Sequence, residues 1–273
     1  MFDLPRILIL SLLLGITGNT MAKTKWEKIK KPTQHNPQCV GTYTNGCVLG
    51  GRALPLKGEG YEVIRTKRNR YYGHPHLISY LQNLGRMVNE IKLGTMLIGD
   101  MSMPAGGRFT KGHSSHQTGL DADIWLKLPK GNLESGEREN PSPNNVVDFD
   151  KFDVNKNWNP KYKTLIKLAA SDSKVQRIFV NPAIKRKLCE TENNKSWLRK
   201  VRPWYGHNYH IHVRLKCPKG SKFCIGQKDV ARGSGCGKEV MTWDWRGKKK
   251  VKSKKKAKKI IPTPPPACLS LIN

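Results

Sequence analysis

The sequence predicts an α+β fold, and three patterns carry that expectation. Residues 77–91, 161–172 and 181–190 have helical periodicity or a helix-start signal. Residues 93–102, 122–128, 175–181 and 207–216 are short apolar or alternating runs of strand type. Seven cysteines are dispersed without a CxxC pair, which suits disulfides in an oxidising compartment better than a zinc ribbon. A chain of 273 residues is long enough for one large domain or two small ones with a sizeable core.

The elements follow in chain order. ILILSLLLGI (residues 7–16) is a short apolar run behind Arg6, and small residues follow as far as Ala22. That is the pattern of a secretory leader, so residues 1–22 are read as a signal peptide cleaved after Ala22, with an uncleaved anchor as the lesser reading because Asp3 dilutes the positive start. Residues 23–38 are basic and read as mobile. YGHPH (72–76) reads as a turn at Pro75, with His74 within reach of a cleft. Apolar residues at 77, 78, 81, 84, 88 and 91 then define an amphipathic helix. LGTMLIGDMS (93–102) reads as a buried strand and ADIWLKL (122–128) as a second. Residues 133–145 are rich in Gly, Asn, Glu and Pro and read as a loop. KYKTLIKLAASD (161–172) is helical, VQRIFVN (175–181) is a strand, and NPAIKRKLCE is a helix with Pro182 at its start. HNYHIHVRLK (207–216) alternates and reads as a strand.

From 247 to 266 a Lys-rich run gives way to a Pro-rich one. This composition cannot bury a core and reads as a disordered tail. The folded domain is therefore placed at 23–246, with 267–273 pinned back through Cys268. No internal repeat is present.

The formal net charge is +30, so the surface repels itself unless it meets anions. Nucleic acid, anionic lipid and an acidic wall polymer are the candidates. Nucleic acid conflicts with the leader and lacks a recognition motif. The Lys-rich run reads first as a solvated tether and second as an electrostatic contact with the anionic cell wall or lipopolysaccharide. Monomer and homodimer are both open.

Two windows concentrate chemistry. GHSSHQTGLDADIW (112–125) holds His113, His116, Asp121 and Asp123, and WYGHNYHIHVRLKCP (204–218) holds His207, His210 and His212. Five of the eight histidines fall in these windows. Residues two apart on a strand share a face, so His210 and His212 project together. An H-x-H by itself is commonplace, and a pair of aspartates can simply blunt a strand edge. Neither window holds enough ligands alone, and the two complement each other. Two histidines and one aspartate suit a catalytic zinc with an open fourth position, and a further histidine can act as general base.

The pairing of H-x6-D with a later H-x-H resembles the LAS metallopeptidases. GHSSHQTGLDADI, LIKLAAS, VQRIFVNPAIK and WYGHNYHIHVRLKCP together resemble the penicillin-insensitive murein endopeptidases, over about residues 47–268. The resemblance implies a central antiparallel sheet, flanked by helices and long loops, that carries one zinc ion at His116, Asp123 and His212. It implies that His210 is the base or steadies the oxyanion, and that His113 and His207 line the site. It implies disulfides Cys47–Cys268, Cys189–Cys236 and Cys217–Cys224, leaving Cys39 unpaired; closing the first of these long loops is worth roughly 3–5 kcal/mol in the entropic model. The family's proposed extra metal ligands would need a histidine near Asp148, and this chain has none there. The implied activity is hydrolysis of the D-alanyl–meso-diaminopimelate cross-link of peptidoglycan in the periplasm. The alternatives are a carboxypeptidase or dipeptidase of the same metal class, or a non-catalytic wall-binding protein.

Overall fold

The computed structural model describes residues 24–247 and 261–273. The leader expected at 1–22 and most of the Lys-rich run lie outside the described residues.

The fold is α+β. In chain order, helix α1 (Lys25–Lys28) precedes a hairpin of β1 (Gln38–Thr42) and β2 (Asn45–Leu49). Short strands β3 (Arg52–Ala53), β4 (Lys57–Gly58), β5 (Tyr61–Val63) and β6 (Tyr72–Gly73) lead into α2 (Pro75–Glu90) and β7 (Met96–Ile98). Strand β8 (Asp121–Trp125), α3 (Ser135–Glu139), β9 (Val147–Asp148) and β10 (Asp153–Val154) follow. Then come α4 (Pro160–Ser171), β11 (Val175–Val180), α5 (Pro182–Thr191), β12 (Val201–Pro203) and β13 (His210–Leu215). Helices α6 (Lys238–Met241) and α7 (Pro266–Leu269) complete the set.

Seven strands form one sheet in the order β12-β11-β13-β8-β7-β5-β4. The inner run β11-β13-β8-β7 is antiparallel. The sheet as a whole is mixed rather than antiparallel, because β5 pairs with β7 and β12 with β11 in parallel. The reason is local: α2 lies between β5 and β7, and α5 between β11 and β12, and a helix crossover returns the chain in the same direction.

One face of the sheet is apolar. Ala122, Ile124, Ile211, Val213 and Leu215 join the buried residues of α2, α4 and α5 in the main core. The alternate residues of the same strands point the other way, and they carry the polar groups described below.

Each long helix starts on the same device, a side-chain acceptor followed by proline at the first helical position. His74, Asn159 and Asn181 cap α2, α4 and α5. Pro75 therefore opens a helix instead of making a turn, and His74 serves as its buried cap, with Nδ1 accepting from His76 N at 3.1 Å. It does not reach the cleft.

Other expectations are revised by packing. The strand read at 93–102 contracts to Met96–Ile98, and the loop read at 133–145 contains α3. Residues 24–38, read as mobile from their lysines, are anchored by two side chains. Trp26 is 6% exposed, and a Cβ on Gly107 would come within 2.0 Å of its ring. Glu27 meets Arg70 at 3.3 Å and accepts from Thr110 N at 3.0 Å. Residues 261–266 pack onto the body as well, where Asn45 Nδ2 donates to Thr263 O at 2.9 Å.

Disulfides join Cys47 to Cys268, Cys189 to Cys236 and Cys217 to Cys224, and Cys39 is a buried free thiol. Near the second disulfide, the fully buried Lys185 donates to Leu198 O at 2.8 Å and Ser234 O at 2.6 Å. Burial, with Arg202 nearby, pushes its ammonium down to about 7. Between pH 7 and the ordinary lysine value near 10.5 the unfolded chain then binds more protons than the folded one, so this residue makes stability rise with pH across that window. Thermal unfolding at pH 7.5 and 9.5 should show a smaller gain for Lys185→Met than for the parent chain. An equal gain in both would show that Lys185 stays charged.

Candidate metal centre

The site is built by two neighbouring strands in register. Across β8 and β13, Asp123 pairs with His212 and Asp121 with Arg214, while Trp125 pairs with His210. All six point away from the apolar core, because residues two apart on a strand share a face. His113 and His116 reach the same place from the loop before β8. His116 holds a left-handed φ of 68°, unusual for a residue with a Cβ, and its N–H donates to Asp121 Oδ2 at 3.0 Å. His207 also has positive φ, at 51°, in the loop entering β13.

Asp123 is the hub. His113 Nε2 lies 3.0 Å from its Oδ2, and His212 Nδ1, His116 Nε2 and His210 Nε2 lie 3.2, 3.5 and 3.8 Å from its Oδ1. One donor atom each from His113, His116, Asp123 and His212 falls within a 4.8 Å cluster. The structure thus draws His113 in with the three ligands that the sequence resemblance implied. His210 stands at the rim, and His207 lies one step farther out, with its ring centre 5.0 Å from that of His210.

Electrostatics prepares these groups to bind a cation. Desolvation works to raise the Asp123 carboxyl, but the surrounding imidazoles, His210 foremost, hold it well below the usual range. Burial pushes the imidazolium of His113 down to about 4 and that of His207 to about 3, and lowers that of His210 too, so these rings present lone pairs at neutral pH. His212 behaves differently: desolvation opposes its charge, but Asp121 and Asp123 raise it above the ordinary value. Its Nε2 is 3.0 Å from Asp121 Oδ1, which can only accept, so Nε2 donates there, and Nδ1, 3.2 Å from Asp123 Oδ1, is the nitrogen that faces the cluster and would give up its proton to a cation.

Several buried polar atoms here have no hydrogen-bond partner. They are both ring nitrogens of His116, both of His210, and Oδ1 of Asp123. Buried polar atoms are nearly always satisfied, and three of these exceptions, Asp123 Oδ1 with His116 Nε2 and His210 Nε2 at 3.5 and 3.8 Å from it, fit a bound cation that takes nitrogen and oxygen ligands.

Sequence reasoning underrated three supporting residues. Asp121, fully buried, holds Arg214 (Nε to Oδ1, 2.7 Å) as well as His212 and the His116 amide. Arg214 is stacked between Tyr43 and Phe179, at 4.2 and 5.2 Å from the ring centres. Asp100 binds Arg68 and Arg70 at 3.1 Å each and stands 3.8 Å from His113 Nε2. A lone carboxylate inside the apolar LGTMLIGDMS run was the available signal for it. Asp148 lies elsewhere, occupied with the amides of Asp150 and Lys151.

Comparison with known sequences adds an independent line. A family model described as penicillin-insensitive murein endopeptidase matches residues 39–273. A protein of that name from Klebsiella pneumoniae (strain 342) is 46% identical over 269 residues, covering 98% of this chain and 97% of its own. One from Haemophilus influenzae is 48% identical over 255 residues, covering 91% and 88%, and one from Yersinia pestis bv. Antiqua is 46% identical over 255 residues, covering 93% and 92%.

Proposed function

The chain belongs to the penicillin-insensitive murein endopeptidase family and is a peptide hydrolase of peptidoglycan; from that premise we propose a zinc-dependent enzyme that cuts the D-alanyl–meso-diaminopimelate cross-link in the periplasm. The single observation that carries the metal is the convergence of His113, His116, Asp123 and His212, with His116 Nε2 and Asp123 Oδ1 left unpartnered. The apolar leader at 7–16 and three disulfides support export to an oxidising compartment.

His116, Asp123 and His212 would hold the ion, with His113 as a further ligand or as a group that orients what binds beside it. When bound, zinc lowers the pKa of water and polarises a carbonyl. The remaining chemistry belongs to side chains. His210, with Nε2 unpartnered and its imidazolium disfavoured by burial, takes a proton as the amide is attacked and returns it to the leaving amine. His207 Nδ1 lies 2.8 Å from Tyr205 O, so Nδ1 carries the proton and Nε2 is left as an acceptor to orient water or substrate. Insensitivity to penicillin follows from chemistry of this kind, which has no serine to acylate.

The protein without its leader should convert purified cross-linked muropeptide dimers to two monomers, as read by mass. A chelator should stop the reaction, and added zinc should restore it. Loss of terminal D-Ala alone would make the enzyme a carboxypeptidase, and dimers left intact by zinc-loaded protein would make it a binding protein.

A further inference from the structure

We propose that Arg177 forms a subsite for the free carboxylate next to the scissile amide. This rests on the cross-link reading above, because in that linkage the carbon bearing the amide nitrogen also bears a free carboxyl group.

A cavity of about 340 Å³ opens beside the metal cluster, with His113, His207 and His212 on one wall and Arg177, Phe179 and Trp204 on another. Phe179 of β11 pairs with His212, and Arg177 pairs with Arg214. Arg177 therefore sits two residues along the strand from the level of His212, a step of about 7 Å. A carbonyl held at the cluster has the neighbouring carboxylate three bonds away. Adding the distance of a guanidinium–carboxylate contact brings that carboxylate to Arg177.

The two adjacent arginines differ in their bonds. Every nitrogen of Arg214 donates: Nε and Nη2 to the two oxygens of Asp121, and Nη1 to Gln227 Oε1. Arg177 has no carboxylate within ion-pair distance among the described residues. Its Nη2 donates to Lys228 O at 2.6 Å, and its Nε is buried with no hydrogen-bond partner. A buried donor left unmade is unfavourable, and a carboxylate is the acceptor whose geometry matches the guanidinium fork. Asp121 is taken up by Arg214, so the positive charge of Arg177 at the cavity wall is offset by Asp229 alone, which stands beyond ion-pair distance. The Phe179 and Trp204 rings, 5.8 Å apart between centres, flank the same cavity and limit access of water to that charge.

The test compares two muropeptide dimers that differ only in this carboxyl, free in one and amidated in the other. The parent enzyme should lose roughly 10–100-fold in kcat/KM on amidation, chiefly through KM, the range expected for a charge-assisted hydrogen bond. Arg177→Gln should lose a similar factor on the free substrate and no longer distinguish the two, and Arg177→Lys should recover part of the preference. If Arg177 only braces Lys228, both substrates would slow equally in Arg177→Gln and the preference would survive, which overturns the assignment. Equal cleavage of the two dimers by the parent enzyme also overturns it while leaving the cross-link reading intact. A parent enzyme that cleaves neither dimer sinks both.

Discussion

Asp123→Asn should leave a folded protein that retains no stoichiometric metal and cleaves cross-linked dimers at least about 10³-fold more slowly, the scale at which groups acting as one unit fail together. The substitution keeps volume, removes the charge and turns one acceptor oxygen into a donor. That charge is the common partner of four imidazoles, all within 3.8 Å of its oxygens. Without it the cluster keeps three neutral donors and loses its only anion. Metal analysis after gel filtration, beside thermal unfolding, separates loss of the ion from loss of the fold. Full metal occupancy with full turnover in Asp123→Asn would place the centre elsewhere.

Asp121→Ala should be the most destabilising single change in the site, by about 3–5 kcal/mol, because it strands the buried guanidinium of Arg214. Desolvation favours protonating Asp121, yet Arg214 foremost and then His212 hold its carboxyl far below the usual range, so the pair is ionic throughout the working pH range. Removing both charges together is a different experiment. Asp121→Ala/Arg214→Met should recover more than half of the loss in denaturant unfolding, since an apolar pair leaves no unpaired charge behind. Both variants should also weaken metal binding by about 10–100-fold, because Asp121 fixes which nitrogen His212 offers. If the double variant is no more stable than the single one, desolvation of Arg214 is not the cause.

The two halves of the site were legible because strand periodicity is strict. HIHVRL puts His210, His212 and Arg214 on one face, and DADIW does the same for Asp121, Asp123 and Trp125. Their union depends on the β8–β13 register, which no local pattern encodes. The helices read well for a similar reason, since apolar periodicity marks α2 and α4 and the proline after Asn181 marks the start of α5. What escaped was set by tertiary contact. Trp26 and Glu27 look like residues of a loose basic segment until Gly107, Arg70 and Thr110 come round to meet them. The parallel pairs at the sheet margins escaped because β5 and β12 are three residues each, too short to carry a period of their own.

The first hairpin also bears on how the chain matures. Cys39 and Cys47 are the first two thiols to be synthesised, eight residues apart, and Cys268 is made last. Cys39 stands opposite Val48, and Cys47 opposite Val40. Cross-strand partners share a face and neighbours along a strand alternate, so the ribbon turns the two thiols to opposite sides. Cys39 enters the main core, and Cys47 enters the small cluster where Cys268 later arrives. Once the hairpin closes, the nearest wrong pairing is barred by geometry, and Cys47 is held in reserve until the end of the chain reaches it.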